Sequence, residues 1–347
     1  MSTDILLTVA IPTYNRPKQL EKIIQQLQKE ENQNFILLIA DDSSDNLTEM
    51  TVEKYKGKMK NLVYHKNKVN LGYSGNVCNL YDLAKTRYIW FLCDDDTVLL
   101  GAIDKIIRAV KKYIPTVALF NCTWVNSFGI TAEAGVREDK VYNELQKFTD
   151  YNVLCRATFL SIIVIEKRAL IDAIKQQNYK DNIFFQLTLI LSLLSDNFSL
   201  VEVSEKILHR NVGYKYGEFF KFYLVDMLKA VHINKHKFDN DKFVWWSKRH
   251  LLTALELYIS QKIGLFKYNG NPTKDTIRYI KKYYGFYSLV VLLFKPIYLL
   301  IPTFLLKSVY FLYLVRLQGV HKAKSVYIAN INRAYKDARD TGFTTYR

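Results

Sequence analysis

Short apolar runs alternate with amphipathic segments over the first 120 residues of the chain. The runs that predict buried strands are LLTVAI (6–11), FILLIA (35–40), NLVYH (61–65), RYIWFLC (87–93) and VALFNC (117–122). The segments with helical spacing lie between them, at 16–29, 47–55, 75–84 and 102–110. Strands and helices that alternate in this way form βαβ units, so we expect an α/β fold with a mostly parallel sheet flanked by helices.

The pattern is less regular beyond residue 120. FLSIIVIE (159–166) and SLVEVSEKILHR (199–210) predict strands, and NIFFQLTLILSLL (182–194) predicts a buried helix. From Glu218 the chain becomes helical, basic and aromatic. We therefore expect two domains, an α/β domain over residues 1–217 and a basic helical region over residues 218–347.

Clustered polar residues follow four of the predicted strands. They are PTYNR (12–16), DDSSD (41–45), NLGYSGN (70–76) and DDD (94–96). Because ligands of open α/β sheets bind outside the carboxyl ends of the strands, these four segments are expected to line one crevice.

Three consecutive aspartates, Asp94 to Asp96, follow the fourth strand. In an extended segment, alternate side chains point to one face, so Asp94 and Asp96 are expected to converge and Asp95 to point elsewhere. A divalent cation relieves the repulsion of such carboxylates, and Mg²⁺ or Mn²⁺ with a nucleotide diphosphate fits this pattern. The alternative is a solvated turn in which an aspartate caps the following helix.

The charge of the chain is concentrated near its end. The net charge is +2 over residues 1–120 and −2 over residues 121–204. Residues 205–347 contain 25 Lys and Arg against 9 Asp and Glu, which gives the whole net charge of +16. Such asymmetry indicates a polyanionic partner, either nucleic acid or an anionic membrane surface.

The four cysteines have no metal-binding spacing and indicate free thiols in a reducing cytosol. The first sixteen residues, MSTDILLTVAIPTYNR, lack a basic segment followed by a long apolar run, so no signal peptide is expected.

The four polar segments resemble, in order and spacing, the motifs of the GT-A glycosyltransferases of family 2. They are TVAIPTYNR, IADDSSDN, NLGYSGN and YIWFLCDDD, and together they cover about residues 5–125. The combination N-L-G-x-x-x-N followed by Y-x-W-F-L-x-DDD is most similar to abequosyltransferase-type enzymes, which build bacterial O-antigen and related surface polysaccharides. The resemblance implies a GT-A (Rossmann-like) fold and Mg²⁺ or Mn²⁺ as the cofactor.

The resemblance also implies roles for single residues. Tyr14 matches an aromatic that stacks on the nucleotide base, in a loop shaped by Pro12, Thr13 and Arg16. Asp42 matches a carboxylate that accepts a hydrogen bond from the base or ribose, whereas Asp41 is expected to be structural. Asn70 and Gly72 form a turn under the nucleotide, and Asn76 makes a polar contact. Asp94 faces the ribose or sugar, Asp95 the donor sugar, and Asp96 the metal.

Each of these residues has a plainer interpretation. Tyr14 can be a packed aromatic, and Arg16 can form a salt bridge on the first helix. The segment from Asn70 to Asn76 can be an ordinary turn, since Gly and Asn favour turns in general.

The catalytic base is the point at which the chain departs from the family. Many inverting members carry an acidic pair near residue 180, where this chain has NYKDNIFFQL (178–187) with Asp181 as its one carboxylate. Asp181 is the candidate base, although it can also cap the following helix. Glu166 is a weaker candidate, and both inverting and retaining mechanisms stay open.

A basic segment, HRNVGYKYG (209–217), follows the last predicted strand. His209, Arg210 and Lys215 can close over the diphosphate, with Gly213 and Gly217 as hinges. The alternative is a basic surface turn.

An apolar, aromatic stretch lies at 283–316. Its uncharged runs between Lys295, Lys307 and Arg316 are too short to span a bilayer, and Pro296 and Pro302 interrupt them. An interfacial or re-entrant helix pair on an anionic membrane is therefore expected. The alternative is an ordinary core helix pair.

These features together predict a bacterial glycosyltransferase that moves a hexosyl or deoxyhexosyl group. The donor would be a nucleoside-diphosphate sugar, the acceptor a lipid-linked oligosaccharide, and the location the cytoplasmic face of the inner membrane, as a peripheral protein. One rival is a metal-dependent nucleotidyltransferase, but TYNRP is not a Gly-rich phosphate loop. The other is a nucleic-acid-binding protein, which the apolar stretch at 285–315 contradicts, so no nucleic-acid partner is expected.

Overall fold

The computed structural model of the protein describes residues 5–125, 131–143, 151–169, 185–193 and 198–211, with ten isolated positions between 227 and 312. The chain divides into two compact units, one of Met1–Gly213 with Lys229–Lys242 and the other of Tyr214–Leu228 with Phe243–Arg347. The domain limits of 1–217 and 218–347 stay a prediction, because most of the second domain lies outside the described residues.

Ten described strands form one sheet. They are β1 Leu7–Thr13, β2 Phe35–Asp41, β3 Leu62–Lys66, β4 Tyr88–Phe91, β5 Thr97–Val98, β6 Val117–Val125, β7 Thr131–Ala134, β8 Lys140–Tyr142, β9 Ile163–Glu166 and β10 Leu200–Asn211. Their order is β3-β2-β1-β4-β9-β6-β10-β5, with β7 paired to β6 and β8 paired to β10.

Six α-helices are described around this sheet. They are α1 Pro17–Gln28, α2 Leu47–Glu53, α3 Gly72–Leu83, α4 Ala102–Tyr113, α5 Tyr151–Arg156 and α6 Phe185–Ser192. The first four confirm the helices predicted between the strands, with α3 starting and α4 ending three residues outside the predicted limits. In α1 the apolar positions Leu20, Ile23, Ile24 and Leu27 are all buried, and Pro17 lies at the start, where its missing N–H is not needed.

The sheet has a parallel half and a mixed half. Strands β3, β2, β1 and β4 are all parallel, which confirms the predicted βαβ pattern there. In the other half β9 lies between β4 and β6 and is antiparallel to both, whereas β6 and β10 are parallel. Strands β4, β6 and β10 therefore run in the same direction, and their carboxyl ends lie on the edge of the sheet where β1 and β2 also end.

Several predicted limits differ from the structure. In the segment predicted as a strand over 159–166, Leu160–Ile162 forms a 3-10 turn and only Ile163–Glu166 is a strand. The strand at 199–210 is confirmed as β10, and Phe185–Ser192 lies within the helix predicted at 182–194.

The core lies between the sheet and its helices. All four residues of β4 are buried, and so are six of the seven in β1, which is typical of parallel strands covered on both faces. Trp90 of β4 is completely buried, and its indole N–H donates to the backbone oxygen of Ser161 at 2.8 Å. This contact ties the 3-10 turn to the strand that precedes the three aspartates.

The predicted membrane stretch at 283–316 is described at only seven positions, from Pro302 to Leu312. Among the residues described, no helix combines the length and the apolar character that crossing a bilayer requires.

Candidate active site

The register of β1 and β4 brings two of the predicted motifs together. Ala10 pairs with Phe91, so Thr13 and Asp94 each lie three residues further along neighbouring parallel strands. The Thr13 hydroxyl donates to Asp94 Oδ2 at 2.8 Å. This hydrogen bond places the first aspartate directly beside the PTYNR loop.

Arg16 joins two of the three aspartates. Its Nη1 donates to Asp94 Oδ1 at 3.0 Å and to Asp95 Oδ2 at 3.1 Å. Burial raises the pKa of Asp94 above its ordinary value, and the contacts with Arg16 and Thr13 only partly offset that effect. The salt bridge considered for Arg16 is therefore present, and its partners are the aspartates themselves.

The second and third aspartates form a different group. Asp95, Asp96 and Cys93 each offer one ligand atom, and these atoms lie within 4.8 Å of one another. Asp94 is not in the group, and its two oxygens accept from Thr13 and Arg16 instead. The expected alternation along the strand does not apply, since β4 ends at Phe91 and a turn begins, in which the Asp96 N–H lies 3.4 Å from the Cys93 oxygen.

This mixed donor set is chemically suited to a divalent cation, because two carboxylates supply hard oxygen ligands and the thiol a softer one. The Cys93 N–H donates to Ser161 Oγ at 2.9 Å, which fixes the backbone at the start of the turn. Burial raises the pKa of the Cys93 thiol well above its usual value, and the charge of Asp96 adds to the rise.

Asp42 lies at the centre of a buried network of amides. Its Oδ1 accepts from Asn67 Nδ2 at 2.6 Å and from the Leu71 N–H at 3.3 Å. Asn67 also donates to Asn76 Oδ1 at 3.0 Å, and Asn76 in turn donates to the backbone oxygen of Ala40 at 2.9 Å. The network thus joins the ends of β1, β2 and β3 to helix α3.

The segment from Asn70 to Asn76 opens α3. Asn70 Oδ1 accepts from the Gly72 N–H at 2.7 Å, and Gly72 has φ +70°, which favours glycine. A Cβ at Gly75 would lie 2.9 Å from Leu71 Cβ, so only glycine fits there without a shift. The segment is therefore both a turn and the connection between Asp42 and the helix.

Tyr14 and Asp41 occupy contrasting positions in the same loops. The Tyr14 side chain is 51% exposed, so it is not the packed aromatic that was the alternative. Asp41 is fully buried, and its carboxylate accepts from Ser43 and, at 2.8 Å, from the Tyr64 hydroxyl. Burial, followed by this hydrogen bond, raises the pKa of Tyr64. These contacts agree with the structural role expected for Asp41.

The end of β10 lies beside the segment that follows the aspartates. His209 pairs with Thr97 of β5, and its buried Nδ1 has no hydrogen-bond partner among the described residues. The Arg210 guanidinium lies 3.7 Å from the centroid of the Phe159 ring. Both residues are on the polar edge of the sheet, whereas Lys215, Gly213 and Gly217 lie outside the described residues.

Of the two candidate bases, only Glu166 lies among the described residues. Asp181 lies outside the described residues. Glu166 pairs with Tyr88, at the amino end of β4, and forms an ion pair of 2.8 Å with Arg87. Because β9 is antiparallel to β4, Glu166 lies at the edge opposite the aspartates, and the structure argues against it as a base.

Sequence reasoning did not identify Asn67, Asn79 or Ser161. Asn79 Nδ2 donates to Asn67 Oδ1 at 2.6 Å, so both belong to the network around Asp42. Asn67 directly follows β3, and its position as a polar residue at a strand end was the signal that could have identified it. No comparable signal marks Ser161, whose partners are far away in the sequence.

Comparison with known proteins connects these features to one family. Residues 8–163 match the family described as glycosyl transferase family 2. The GalNAc(5)-diNAcBac-PP-undecaprenol beta-1,3-glucosyltransferase of Campylobacter jejuni is 31% identical over 107 residues, 30% of this chain and 35% of that protein. The abequosyltransferase RfbV of Salmonella typhimurium is 30% identical over 97 residues, 27% of this chain and 29% of that protein. The chain thus covers about a third of the length of these relatives.

Solved structures resemble the chain over nearly its whole length. Staphylococcus aureus TarS 1-349 in complex with UDP-GlcNAc has a TM-score of 0.58 at 16% identity, and the match covers 99% of this chain and 93% of that one. Mannosyltransferase PcManGT from Pyrobaculum calidifontis, in complex with GDP-Man and Mn²⁺, has a TM-score of 0.52 at 11% identity, over 97% and 88%. These likenesses support the α/β fold of the GT-A kind. The motifs and the sheet order agree with the match of residues 8–163 to the family described as glycosyl transferase family 2.

Proposed function

We propose that the protein transfers one sugar from a nucleoside-diphosphate sugar to a lipid-linked oligosaccharide in bacterial surface-polysaccharide synthesis. The observation that carries the proposal is the set of contacts that joins Asp94 and Asp95 to the loop after β1, through Thr13 and Arg16. Tyr14 and the network around Asp42 lie at the same edge of the sheet. A donor needs both a pocket for its nucleotide and a charged centre for its diphosphate, and this edge offers the residues for each.

The nucleotide would bind between the loops that follow β1 and β2. Tyr14 is exposed and can stack on a base. Asp42 Oδ2 can accept from the base or ribose, since Asn67 and the Leu71 N–H both donate to Oδ1. Pro12, Asn70 and Gly72 would shape the floor of this pocket, and Asn76 would hold Asp42 in place through Asn67.

The residues present fit a Mg²⁺ or Mn²⁺ ion, with Asp96 as the main ligand and Asp95 beside it. When bound, such an ion neutralises charge that develops on the leaving diphosphate. Asp94 was predicted as a second metal ligand. To bind the cation, its carboxylate would have to release Arg16. Arg210 would contribute further positive charge near the diphosphate, and Asp95 would face the donor sugar.

Asp181 is the residue we propose as the base that removes the acceptor proton. A base of this kind implies inversion at the transferred carbon, whereas a retaining mechanism needs none in this position. The measurement of the product's anomeric configuration therefore tests the assignment of Asp181 independently of donor binding.

The acceptor and the membrane are proposed from the C-terminal part of the chain. Residues 205–347 carry the net charge of +16, and three described side chains of its helical positions, Phe304, Leu305 and Leu312, are between 47% and 66% exposed. Exposed apolar side chains among lysines suit an interfacial helix on anionic lipid. The name of the Campylobacter relative includes a PP-undecaprenol-linked glycan, which supports an acceptor presented at the cytoplasmic face of the inner membrane.

The full chain should be screened for thermal stabilisation by UDP-, GDP-, CDP- and dTDP-sugars with Mn²⁺. Binding to the folded state raises the apparent stability, so the correct donor should raise the unfolding temperature, and Asp96→Ala should abolish the metal-dependent part of that rise. Stabilisation by no nucleotide sugar, with tight binding to DNA instead, would overturn the proposal in favour of the nucleic-acid alternative.

A further inference from the structure

Helix α1 contacts the segment of the three aspartates near both of its ends. Arg16, directly before the helix, donates to Asp94 at 3.0 Å and to Asp95 at 3.1 Å. About three helical turns further on, the side-chain oxygen of Gln26 accepts from the Val98 N–H at 2.8 Å. The chain from Asp94 to Val98 therefore extends along α1.

Gln26 takes the place of a neighbouring strand for β5. This strand consists of Thr97 and Val98 at the edge of the sheet, and it pairs with β10. The Leu99 N–H donates to the Ile207 oxygen of β10 at 2.9 Å, so the preceding N–H, that of Val98, points away from β10. Gln26 accepts from this outward N–H and so joins the edge strand to the helix.

Glu30, one helical turn after Gln26, holds the start of α4. Its side chain is buried, and its carboxylate accepts from the Gly101 N–H at 3.0 Å and from the Ile103 N–H at 3.2 Å. Gly101 is the N-cap residue of α4 and has no side chain that could accept from these groups, so Glu30 supplies the acceptor. Gln26 and Glu30 together hold the chain on the carboxyl side of the aspartates.

We infer that Gln26 is a positioning residue of the donor site. By holding the Val98 N–H, it fixes the backbone that carries Asp96, the main cation ligand proposed above. Glu30 supports the same segment from one helical turn further on. The inference rests on the proposed function for the cation and goes beyond it, because it makes cation affinity depend on a residue of α1 that acts through the backbone of residues 96–98.

The placement of Asp96 matters because metal sites tolerate only small errors in the position of their ligand atoms. Mg²⁺ in particular demands near-ideal octahedral geometry. Asp96 lies in the turn between β4 and β5, and the contact of its N–H with the Cys93 oxygen is long, at 3.4 Å. The hydrogen bond between Gln26 and Val98, two residues further on, therefore limits how far Asp96 can move.

Calorimetry on the full chain tests the inference with UDP, GDP, CDP and dTDP, each with Mn²⁺ and with EDTA. The ratio of the two affinities separates the cation-dependent part of nucleotide binding from the part proposed for Tyr14 and Asp42. Gln26→Leu removes the acceptor and should lower the cation-dependent part by about 3- to 10-fold, the range expected for one hydrogen bond. The affinity in EDTA should stay within about 2-fold of the wild type, because Tyr14 and Asp42 do not depend on this hydrogen bond.

The matched control is Gln25→Leu, because Gln25 is the neighbouring glutamine of α1 and donates to the Tyr55 hydroxyl at 2.9 Å instead. It should leave the ratio of affinities unchanged. Gln26→Glu keeps an oxygen acceptor for the Val98 N–H and should also keep the ratio. A contact that only stabilised the fold would change the urea midpoint of Gln26→Leu without changing the ratio of the two affinities.

Circular dichroism checks that each variant is folded. If Gln26→Leu is not folded, Gln26→Ser replaces it, because serine is polar but too short to reach the Val98 N–H. An unchanged ratio in the folded variant, or an equal loss in Gln25→Leu or Gln26→Glu, overturns the positioning role while the transferase proposal stands. A wild-type chain whose nucleotide affinity does not depend on Mn²⁺ overturns the cation part of the proposed function, and this inference with it.

Discussion

Removing the Arg16 side chain should destabilise the folded protein in a way that depends on pH. Arg16→Ala removes one partner of Asp94, whose side chain is 6% exposed, and leaves the hydrogen bond from the Thr13 hydroxyl among the described residues. A hydrogen bond to a charged group contributes about 1.5–3 kcal/mol, and breaking a buried ion pair costs about 3–5 kcal/mol. Arg16 is 46% exposed, so water replaces part of its interaction with Asp94 in the variant. We therefore expect the free energy of unfolding to fall by about 1–3 kcal/mol near neutral pH.

The dependence on pH follows from the raised pKa of Asp94. A carboxyl whose folded pKa lies above its unfolded value contributes stability at low pH, and that contribution is lost as the pH rises through the folded pKa. Loss of Arg16 should raise the folded pKa of Asp94 further. The cost of Arg16→Ala should therefore shrink on acidification from neutrality towards 3.8, the ordinary pKa, because a protonated Asp94 needs no counter-ion.

Urea unfolding of the full chain, followed by circular dichroism near neutral pH and at about pH 4.5, measures both effects. Lys54→Ala is a matched control, since it breaks a 3.2 Å ion pair with Glu21 in which the lysine is 57% exposed, and it should cost less than about 0.5 kcal/mol. The cost of Arg16→Ala should also fall in an Asp94→Asn background. A cost that is equal at both pH values, or unchanged in that background, would refute the argument from a buried carboxylate.

The remaining predictions concern the donor, the base and the membrane. Tyr14→Ala should weaken nucleoside-diphosphate binding in calorimetry by about 1–3 kcal/mol, the usual contribution of base stacking on an aromatic ring. Asp42→Asn should weaken the same binding about 10-fold, because the amide keeps an acceptor for Asn67 but loses the charge. Asp181→Asn should lower turnover by a factor on the order of 10² at unchanged donor affinity. Phe304→Ser with Leu312→Ser should reduce flotation with phosphatidylglycerol vesicles roughly 10-fold or more, since each apolar side chain contributes about 1.5–3 kcal/mol when buried.

Each of these has an outcome that contradicts it. Unchanged nucleotide affinity in both Tyr14→Ala and Asp42→Asn would remove these residues from the donor site. Near-normal turnover of Asp181→Asn would exclude it as the base. For the membrane, Leu100→Ser is the control, because Leu100 is 68% exposed but lies in the first unit, and flotation that falls equally in this control would contradict an interfacial role for the helix.

Local patterns in the sequence predicted the parallel half of the fold. Strands β1, β2 and β4 are continuous apolar runs because both their faces are covered, and α1 and α4 carry their apolar residues at helical spacing. Strands β5, β7 and β8 were missed because each has only two to four residues. In addition, β5 and β8 are defined by pairing with β10, far away in the chain. The direction of β9 could not be predicted either, because an apolar run has no sign that distinguishes parallel from antiparallel pairing.

The sequence predicted which motifs form the site, but not how their side chains are arranged. The convergence of the four loops at one edge of the sheet follows from the βαβ pattern. The orientation of Asp94 does not, because it depends on where β4 ends and on the competition of Thr13 and Arg16 for its oxygens. The grouping of Cys93 with Asp95 and Asp96 depends on the same turn.

The antiparallel position of β9 has a consequence for the order in which the chain can assemble. Strands β1 to β4 pair with neighbours from the first 91 residues, so this half can form while the rest is still being synthesised. One side of β4 then stays without a partner until β9 emerges, and β6 waits for β10, whose residues begin at Leu200. Unpaired strand edges promote association between chains. A fragment cut at residue 163, the limit of the family match, would lack nearly all of β9 and the whole of β10, and should aggregate, whereas one that reaches Asn211 closes both edges.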